Sequence, residues 1–471
     1  MSASERDLNN LQTLYNQALQ LSRNGRLEEA EHCFGRLLAL APDFVEALYH
    51  RGILLMSLYR SAEALENLER AVRLRPDIAE VWIPHGNALR QLRRHAEGLE
   101  SHNRALALNP DLPLALYHRG NLLLEQFKRR EDALADYDRA LALTPDFAEG
   151  WYARGNALSE MGRFAEAIAS YDKALSLKPD MGHALKNRSR AFFQGGRIEE
   201  GIAACTESAN RLNGAAPQAG TPSQLNHDRE QHDYRRGLAP APGPRPGARL
   251  DGPAVCPPDP RAALEESWRT KKPQIVVIDN FLAAEALAAL RRFCLEEPVW
   301  RAAYPGGYLG AFPEQGFACP LLGQIAEELH CAFPGILGAH PLSYFWGFKY
   351  DSKHASGIAI HADSAAVNVN FWITPDDANL DPESGGLVVW DVAAPSDWDD
   401  DSFNRPDQTA AIRAFLAEKD AKPTTIPYRA NRAVIFDSDL FHETDTIRFK
   451  DGYADRRVNV TMLYGWRHRA R

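Results

Sequence analysis

A Pro-Asp pair recurs at Pro42, Pro76, Pro110, Pro145 and Pro179, at intervals of 34, 34, 35 and 34 residues. A period of that length belongs to helix pairs. Each unit carries a small residue early on (Ala18, Gly52, Gly86, Gly120, Gly155), which lets a first helix approach a second, and the second helix answers with another (Ala30, Ala64, Gly98, Ala133, Ala167). In most units a bulky residue follows four positions later (Phe34, Leu68, Tyr137, Tyr171), then Ala71, Ala105, Ala140 or Ala174, then the proline that stops the helix.

These units resemble tetratricopeptide repeats over residues 8–212, as five good copies and a degraded sixth after Met181. The resemblance implies an all-α solenoid whose first helices line a concave groove that binds peptides. Counted from a common start, the fifth position of the units is Tyr15, Tyr49, Ile83, Tyr117 and Tyr152, and the ninth is Asn87, Asn121 and Asn156 in the third to fifth copies. Positions four apart share a helical face, so these side chains are expected to form a ladder along the groove. Its amides suit a peptide backbone and its tyrosines supply contact area; the alternative is that they pack between repeats or solvate the groove.

Composition places the chain among multidomain globular proteins. With 471 residues it has room for about two to four domains, and with 45% hydrophobic and 25% charged residues most of it can bury a core. A net charge of −9 gives no electrostatic reason for nucleic acid or an anionic membrane surface as partner. MSASERDLNN has no leader pattern and no apolar run of about 18 residues follows, so the expected location is cytoplasmic. The six cysteines show no CxxC spacing and read as reduced thiols. Residues 213–260 are rich in Pro and Gly, with eight prolines over 240–260, and predict a partly extended, mobile linker. Structure is expected to resume over 261–471 with a strand at IVVIDNF and a helix at LAAEALAALRRFCLEE, followed by short strands separated by Gly, Pro and Asp: the pattern of a barrel or jelly roll.

Alternation along GIAIHAD puts His361 and Asp363 on one face, and His442 ends a later strand in RAVIFDSDLFHET. Two imidazoles and one carboxylate leave three positions of an octahedral metal open, which suits a non-haem Fe(II) oxygenase better than a closed zinc site. Tyr350 ends the strand leading into this region, and Gly385-Gly386 opens one between the ligands. In RVNVTMLY, Arg457, Asn459 and Thr461 share one face against Val458, Val460 and Met462, and a buried arginine there calls for an anion.

The order His-x-Asp, Gly-Gly, His, Arg over residues 270–467 resembles the Fe(II)/2-oxoglutarate-dependent dioxygenases, nearest the prolyl-4-hydroxylase-like branch. The whole chain then reads as a multidomain protein: an all-α tetratricopeptide solenoid followed by a double-stranded β-helix (jelly-roll) oxygenase domain with flanking helices. The resemblance implies iron on His361, Asp363 and His442, and 2-oxoglutarate and O2 as cosubstrates. Arg457 and Thr461 would hold the far carboxylate, with Tyr350 assisting. Arg456 and Arg448 stay open as alternative anchors, and Phe371-Trp372 stands where that branch often has a tyrosine. His354, His340, Trp390, Trp398 and the run Asp399 to Asp401 read as loop, packing or solvated residues. The expected activity is hydroxylation of a protein or peptide recruited by the repeats. Its rivals are a protein-binding scaffold with an inactive barrel and an oxygenase acting on a small molecule.

Overall fold

Five helix pairs fill the first of the two units into which the chain divides, Met1–Pro179; the second is Asp180–Arg471. The structure is a computed structural model describing residues 3–213, 221–238, 245–259, 261–304, 306–350, 357–395, 398 and 406–466; His354 and Asp399 to Asp401 lie outside these. The pairs are α1 (Ala3–Arg23) with α2 (Leu27–Leu40), α3 (Val45–Ser57) with α4 (Ser61–Leu74), α5 (Ala79–Gln91) with α6 (His95–Leu108), α7 (Pro113–Glu125) with α8 (Arg130–Leu143), and α9 (Ala148–Glu160) with α10 (Phe164–Leu177). Each helix packs on its neighbours in sequence. Close approach explains the recurring glycines, because a Cβ on Gly52 would sit 2.5 Å from Leu68, one on Gly120 2.7 Å from Tyr137, and one on Gly155 2.5 Å from Tyr171. The bulky side chain of each second helix lies where a first-helix side chain would otherwise be.

The sixth pair, α11 (Gly182–Gln194) and α12 (Ile198–Asn213), falls in the second unit, not in a repeat domain ending at 212. Its apolar residues Phe193, Ile202 and Cys205 join the core of that unit, where Phe193 meets Phe345 edge-on at 5.5 Å. The stretch expected as a free linker over 213–260 is also partly built in. It contains α13 (Pro222–Gly237), whose Gln224 donates to the Trp300 carbonyl and Gln231 to those of Leu295 and Glu297. Further on, Leu250, Ala254 and Val255 are buried. Their backbone N–H groups donate to Gln324 and Glu328 of α16 (Pro320–Ala332), which follows α14 (Arg261–Thr270) and α15 (Ala284–Glu296), so side chains and a bridge from Val255 to Leu282 pin this Pro-rich segment.

Among the described residues ten strands follow: β1 (Ile275–Asp279), β2 (Ala302–Tyr304), β3 (Tyr308–Ala311), β4 (Leu342–Tyr350), β5 (Val367–Trp372), β6 (Leu387–Ala393), β7 (Pro423–Ile426), β8 (Arg432–Asp437), β9 (Leu440–Thr444) and β10 (Val458–Tyr464). They form two antiparallel sheets, one ordered β1-β8-β5-β10-β4-β3-β2 and one ordered β7-β6-β9, with a bridge from His361 to His442 extending the smaller beyond β9. Alternation gives the large sheet two unlike faces. Val367, Val369, Phe371, Val458, Val460 and Met462 pack against Leu290 and Phe293 of a helix at Ala284–Glu296 and Ile325 and Leu329 of α16. The opposite face carries Trp346, Phe348, Tyr350, Asn370, Asn459 and Thr461 and looks into a cavity.

Cys33, Cys205, Cys294 and Cys319 are buried and Cys256 and Cys331 exposed, all as free thiols. No helix among the described residues is long and apolar enough to cross a membrane.

Gly155→Val tests the close-approach account of the repeats. The added side chain is driven into the ring of Tyr171, which is 1% exposed and cannot yield. Unfolding of the first unit in urea is expected to show a loss of about 1–3 kcal/mol, as overpacking of a filled core does.

Candidate metal centre

His361 and Asp363 come from one stretch of the chain and His442 from another, and their ligand atoms all lie within 4.8 Å of one another. Paired across the bridge, the two rings stand 4.3 Å apart. Asp363 Oδ2 is 3.3 Å from His442 Nε2 and Oδ1 is 3.9 Å from His361 Nε2. Each imidazole turns its other nitrogen away: Nδ1 of His361 is 2.8 Å from the Ala359 carbonyl and Nδ1 of His442 is 3.0 Å from that of Leu440. A carbonyl accepts only from N–H, which places the proton on Nδ1 and leaves both Nε2 lone pairs facing the carboxylate. Phe436, edge-on to His442 at 4.8 Å, fixes that ring further.

Burial, then the neighbouring His442, lowers the His361 pKa to about 4. Burial alone would raise the Asp363 carboxyl; the nearness of the His442 and His361 rings and the Asn368 amide, which donates to Oδ2, hold it below the usual range. A carboxylate beside a neutral His361 imidazole is the protonation state a divalent metal requires, and the donor set fits one with open positions.

Sequence reasoning expected His442 at the end of a strand continuing from RAVIF. Instead the chain turns at Ser438 and Asp439, and His442 lies in the middle of β9, in the other sheet. Among the described residues this is the one cluster of three or more metal-ligating side chains.

Arg457 lines the same cavity as His361, Asp363, His442 and Tyr350. It is 2% exposed; Nε donates to the Gly385 carbonyl at 2.6 Å and one terminal nitrogen to that of Gly386 at 3.1 Å. The other, Nη1, has no partner, and no described carboxylate lies within ion-pair distance. The guanidinium is over the rings of Tyr350 at 4.8 Å and Trp372 at 5.6 Å. Gly386 is required here, since a Cβ would lie 1.9 Å from the Ile426 carbonyl oxygen. A buried cation with an orphaned donor fits a carboxylate arriving from outside.

Of the alternative anchors, Arg448 is exposed, and Arg456 pairs with Glu230 of α13 at 2.7 Å. Tyr350, 1% exposed, has its hydroxyl 3.4 Å from Thr444 Oγ1. Thr461 does not stand beside Arg457. Four strand positions separate them, roughly 13 Å, and the Thr461 hydroxyl donates to Asn370 Oδ1 at 2.8 Å.

Thr461 belongs to a network the sequence reading missed. Asn459 donates to Asn370 at 2.9 Å, Asn370 to Asn368 at 2.5 Å, and Asn368 to Asp363 Oδ2 at 2.5 Å. The signal was legible in VNVNFW and VNV: asparagines at alternate positions of otherwise apolar strands mark a buried polar face.

In the first unit, the oxygens expected to meet a peptide bind within the repeats. Tyr137 donates to Asn121 at 2.8 Å and Tyr171 to Asn156 at 2.9 Å. Asn87 Oδ1 has no partner, because His102 stands at the position held by Tyr137 and Tyr171 in the later repeats. Tyr15, Tyr49, Tyr117 and Tyr152 are half-buried against aromatic neighbours, such as Phe147 at 5.0 Å from Tyr117 and Phe44 at 5.6 Å from Tyr15. Packing thus accounts for these tyrosines.

Family models of the tetratricopeptide repeat match residues 15–82, 129–162 and 148–181, so this part of the chain carries tetratricopeptide repeats. Among solved structures, the chain is similar to YrrB, described as a TPR protein with an unusual peptide-binding site (24% identity, 37% of this chain and 89% of that one, TM-score 0.31). It is also similar to a thermophilic TPR protein of Thermus thermophilus (27% identity, 39% and 98%, TM-score 0.35) and to the type IV pilus biogenesis factor PilW (20% identity, 44% and 95%, TM-score 0.41). A comparison with curated proteins gave no match.

Asn368→Ala removes the amide that orients Asp363 without touching a ligand. Its affinity for Fe(II), measured by anaerobic titration, is expected to fall about 10- to 100-fold, as losses of such supporting bonds do.

Proposed function

We propose that the second unit is an Fe(II)- and 2-oxoglutarate-dependent dioxygenase, and that it hydroxylates a protein or peptide recruited through the tetratricopeptide repeats. One observation carries this reading: two Nε2 lone pairs and a carboxylate converge in the same cavity as a buried arginine that lacks an anion. The strand order supports it. From β4 onward, successive segments fall in the large sheet, at the His361 bridge, in the large sheet, twice in the small sheet, and then large, small and large. That order is the one a jelly roll of eight strands would give.

On this reading His361 and His442 hold the iron through Nε2 and Asp363 through its carboxylate. The Ala359 and Leu440 carbonyls fix the tautomers, and Asn368 orients the carboxylate. Arg457 takes the distal carboxylate of 2-oxoglutarate with its free Nη1, and Tyr350 and Trp372 keep water from the guanidinium. Trp346, Phe348, Ile358 and Leu387 close the rest of the cavity with apolar surface. The iron supplies the oxidative chemistry, by which 2-oxoglutarate, O2 and a substrate C–H give succinate, CO2 and C–OH. The repeats favour a polypeptide substrate, since such repeats bind peptides or proteins.

Succinate release with Fe(II) and 2-oxoglutarate tests the proposal. Arg457→Ala is expected to raise the half-saturating 2-oxoglutarate concentration by roughly thirty-fold or more, the low end of what truncating one partner of a buried charge pair costs. Arg456→Ala, facing Glu230, should leave it near the wild-type value. Equal effects of the two, or no succinate from the wild type, would remove the reading.

A further inference from the structure

A second cavity, ≈ 1060 Å³ where it opens outward, lies between the first turns of α13 and the β2–β3 hairpin. Its walls are Pro222, Ser223, Asn226 and His227 on one side, Tyr304, Tyr308 and Leu309 on the other, and Lys349 and Arg456. Lys349 alternates with Phe348 and Tyr350 on β4, so it projects from the face of the sheet opposite the metal cavity.

The walls hold basic groups whose hydrogen-bonding atoms are unused. Lys349 is 1% exposed, and its Nζ has no hydrogen-bond partner, resting 3.4 Å from the centre of the Tyr453 ring. Arg456 reaches Glu230 with one terminal nitrogen at 2.7 Å and leaves Nε unpaired. His227 has Nδ1 3.4 Å from Asp228, while Nε2 is buried without a partner. Among the described residues, no carboxylate lines the cavity. The acids nearby are engaged: Glu230 with Arg456, and Asp228 with Gln224, His227 and Arg301. The N-terminus of α13, a helix of 16 residues, adds its positive end through Ser223.

We propose that this cavity binds a compact dianion, a phosphate group or a small dicarboxylate, between Lys349, Arg456 and the first turn of α13. Burial, and then Arg456, holds the Lys349 amine well below the ordinary lysine range. An anion beside it works against that shift and favours the charged amine. The site is separate from the proposed iron site and does not depend on it.

Thermal unfolding of the full chain with inorganic phosphate, and with succinate in an Arg457→Ala background, tests the proposal and distinguishes the two anions. Lys349→Met replaces an unpartnered amine by an apolar chain of similar length, and Ser223→Trp fills the exposed rim without disturbing the core. At least one anion is expected to raise the wild-type Tm with increasing concentration. Either substitution should weaken that binding by about 10- to 100-fold, the equivalent of one charge-assisted hydrogen bond. Stabilisation by neither anion, or stabilisation undiminished in Ser223→Trp and in whichever Lys349→Met protein folds, overturns the proposal.

Discussion

The guanidinium of Arg457 is the constraint around which the second unit is arranged. A buried cation is costly unless every donor is used, and this one is held by two consecutive glycine carbonyls and two aromatic faces, with one donor left over. Those carbonyls belong to the segment that opens β6, while the arginine precedes β10 and the rings end β4 and β5. The interaction therefore ties the small sheet to the large one at the place where the cavity forms. Asp363 supplies the opposite charge in the same cavity, steadied by asparagines on β5 and β10. Both charges depend on one property of the large sheet: alternation gives it a largely apolar face toward the helices and a face with polar groups toward the small sheet.

That property was legible in the sequence. Period-2 alternation in RVNVTMLY put Arg457 and Asn459 opposite Val458 and Val460, and the structure has them so. The convergence of His361, Asp363 and His442 was legible only as a motif order, since which strands lie side by side is set by contacts far apart in sequence. The strand break before His442 was missed because DSD between two apolar runs reads as a kink as easily as a turn between sheets. Thr461 was misplaced for a metrical reason: sharing a face does not bring residues four positions apart to one ligand. The built-in part of 213–260 was hidden because much of its order comes from two side chains of one distant helix, Gln324 and Glu328, which no local composition reveals.

In the repeats, the recurring small residues are spaces kept for specific second-helix side chains. Where that side chain is tyrosine, its hydroxyl must find an acceptor in the interior, and Asn121 and Asn156 provide it. The asparagine positions singled out as a peptide ladder are thus explained by packing chemistry first. The last helix pair keeps the repeat spacing yet spends its apolar face on the core of the second unit, so sequence periodicity and structural domain part company at Pro179.

The claim at the centre of this account is that three side chains and one arginine compose a single site for a metal and an anion. Anaerobic addition of one equivalent of Fe(II), followed by 2-oxoglutarate, tests it directly through the visible charge-transfer absorption that a chelated 2-oxo acid produces on Fe(II). The account predicts that the absorption saturates at one iron per chain, vanishes in His361→Ala and His442→Ala, and needs far more 2-oxoglutarate in Arg457→Ala. Absence of the absorption in the wild type, or its persistence unchanged when His442 is replaced, would contradict it.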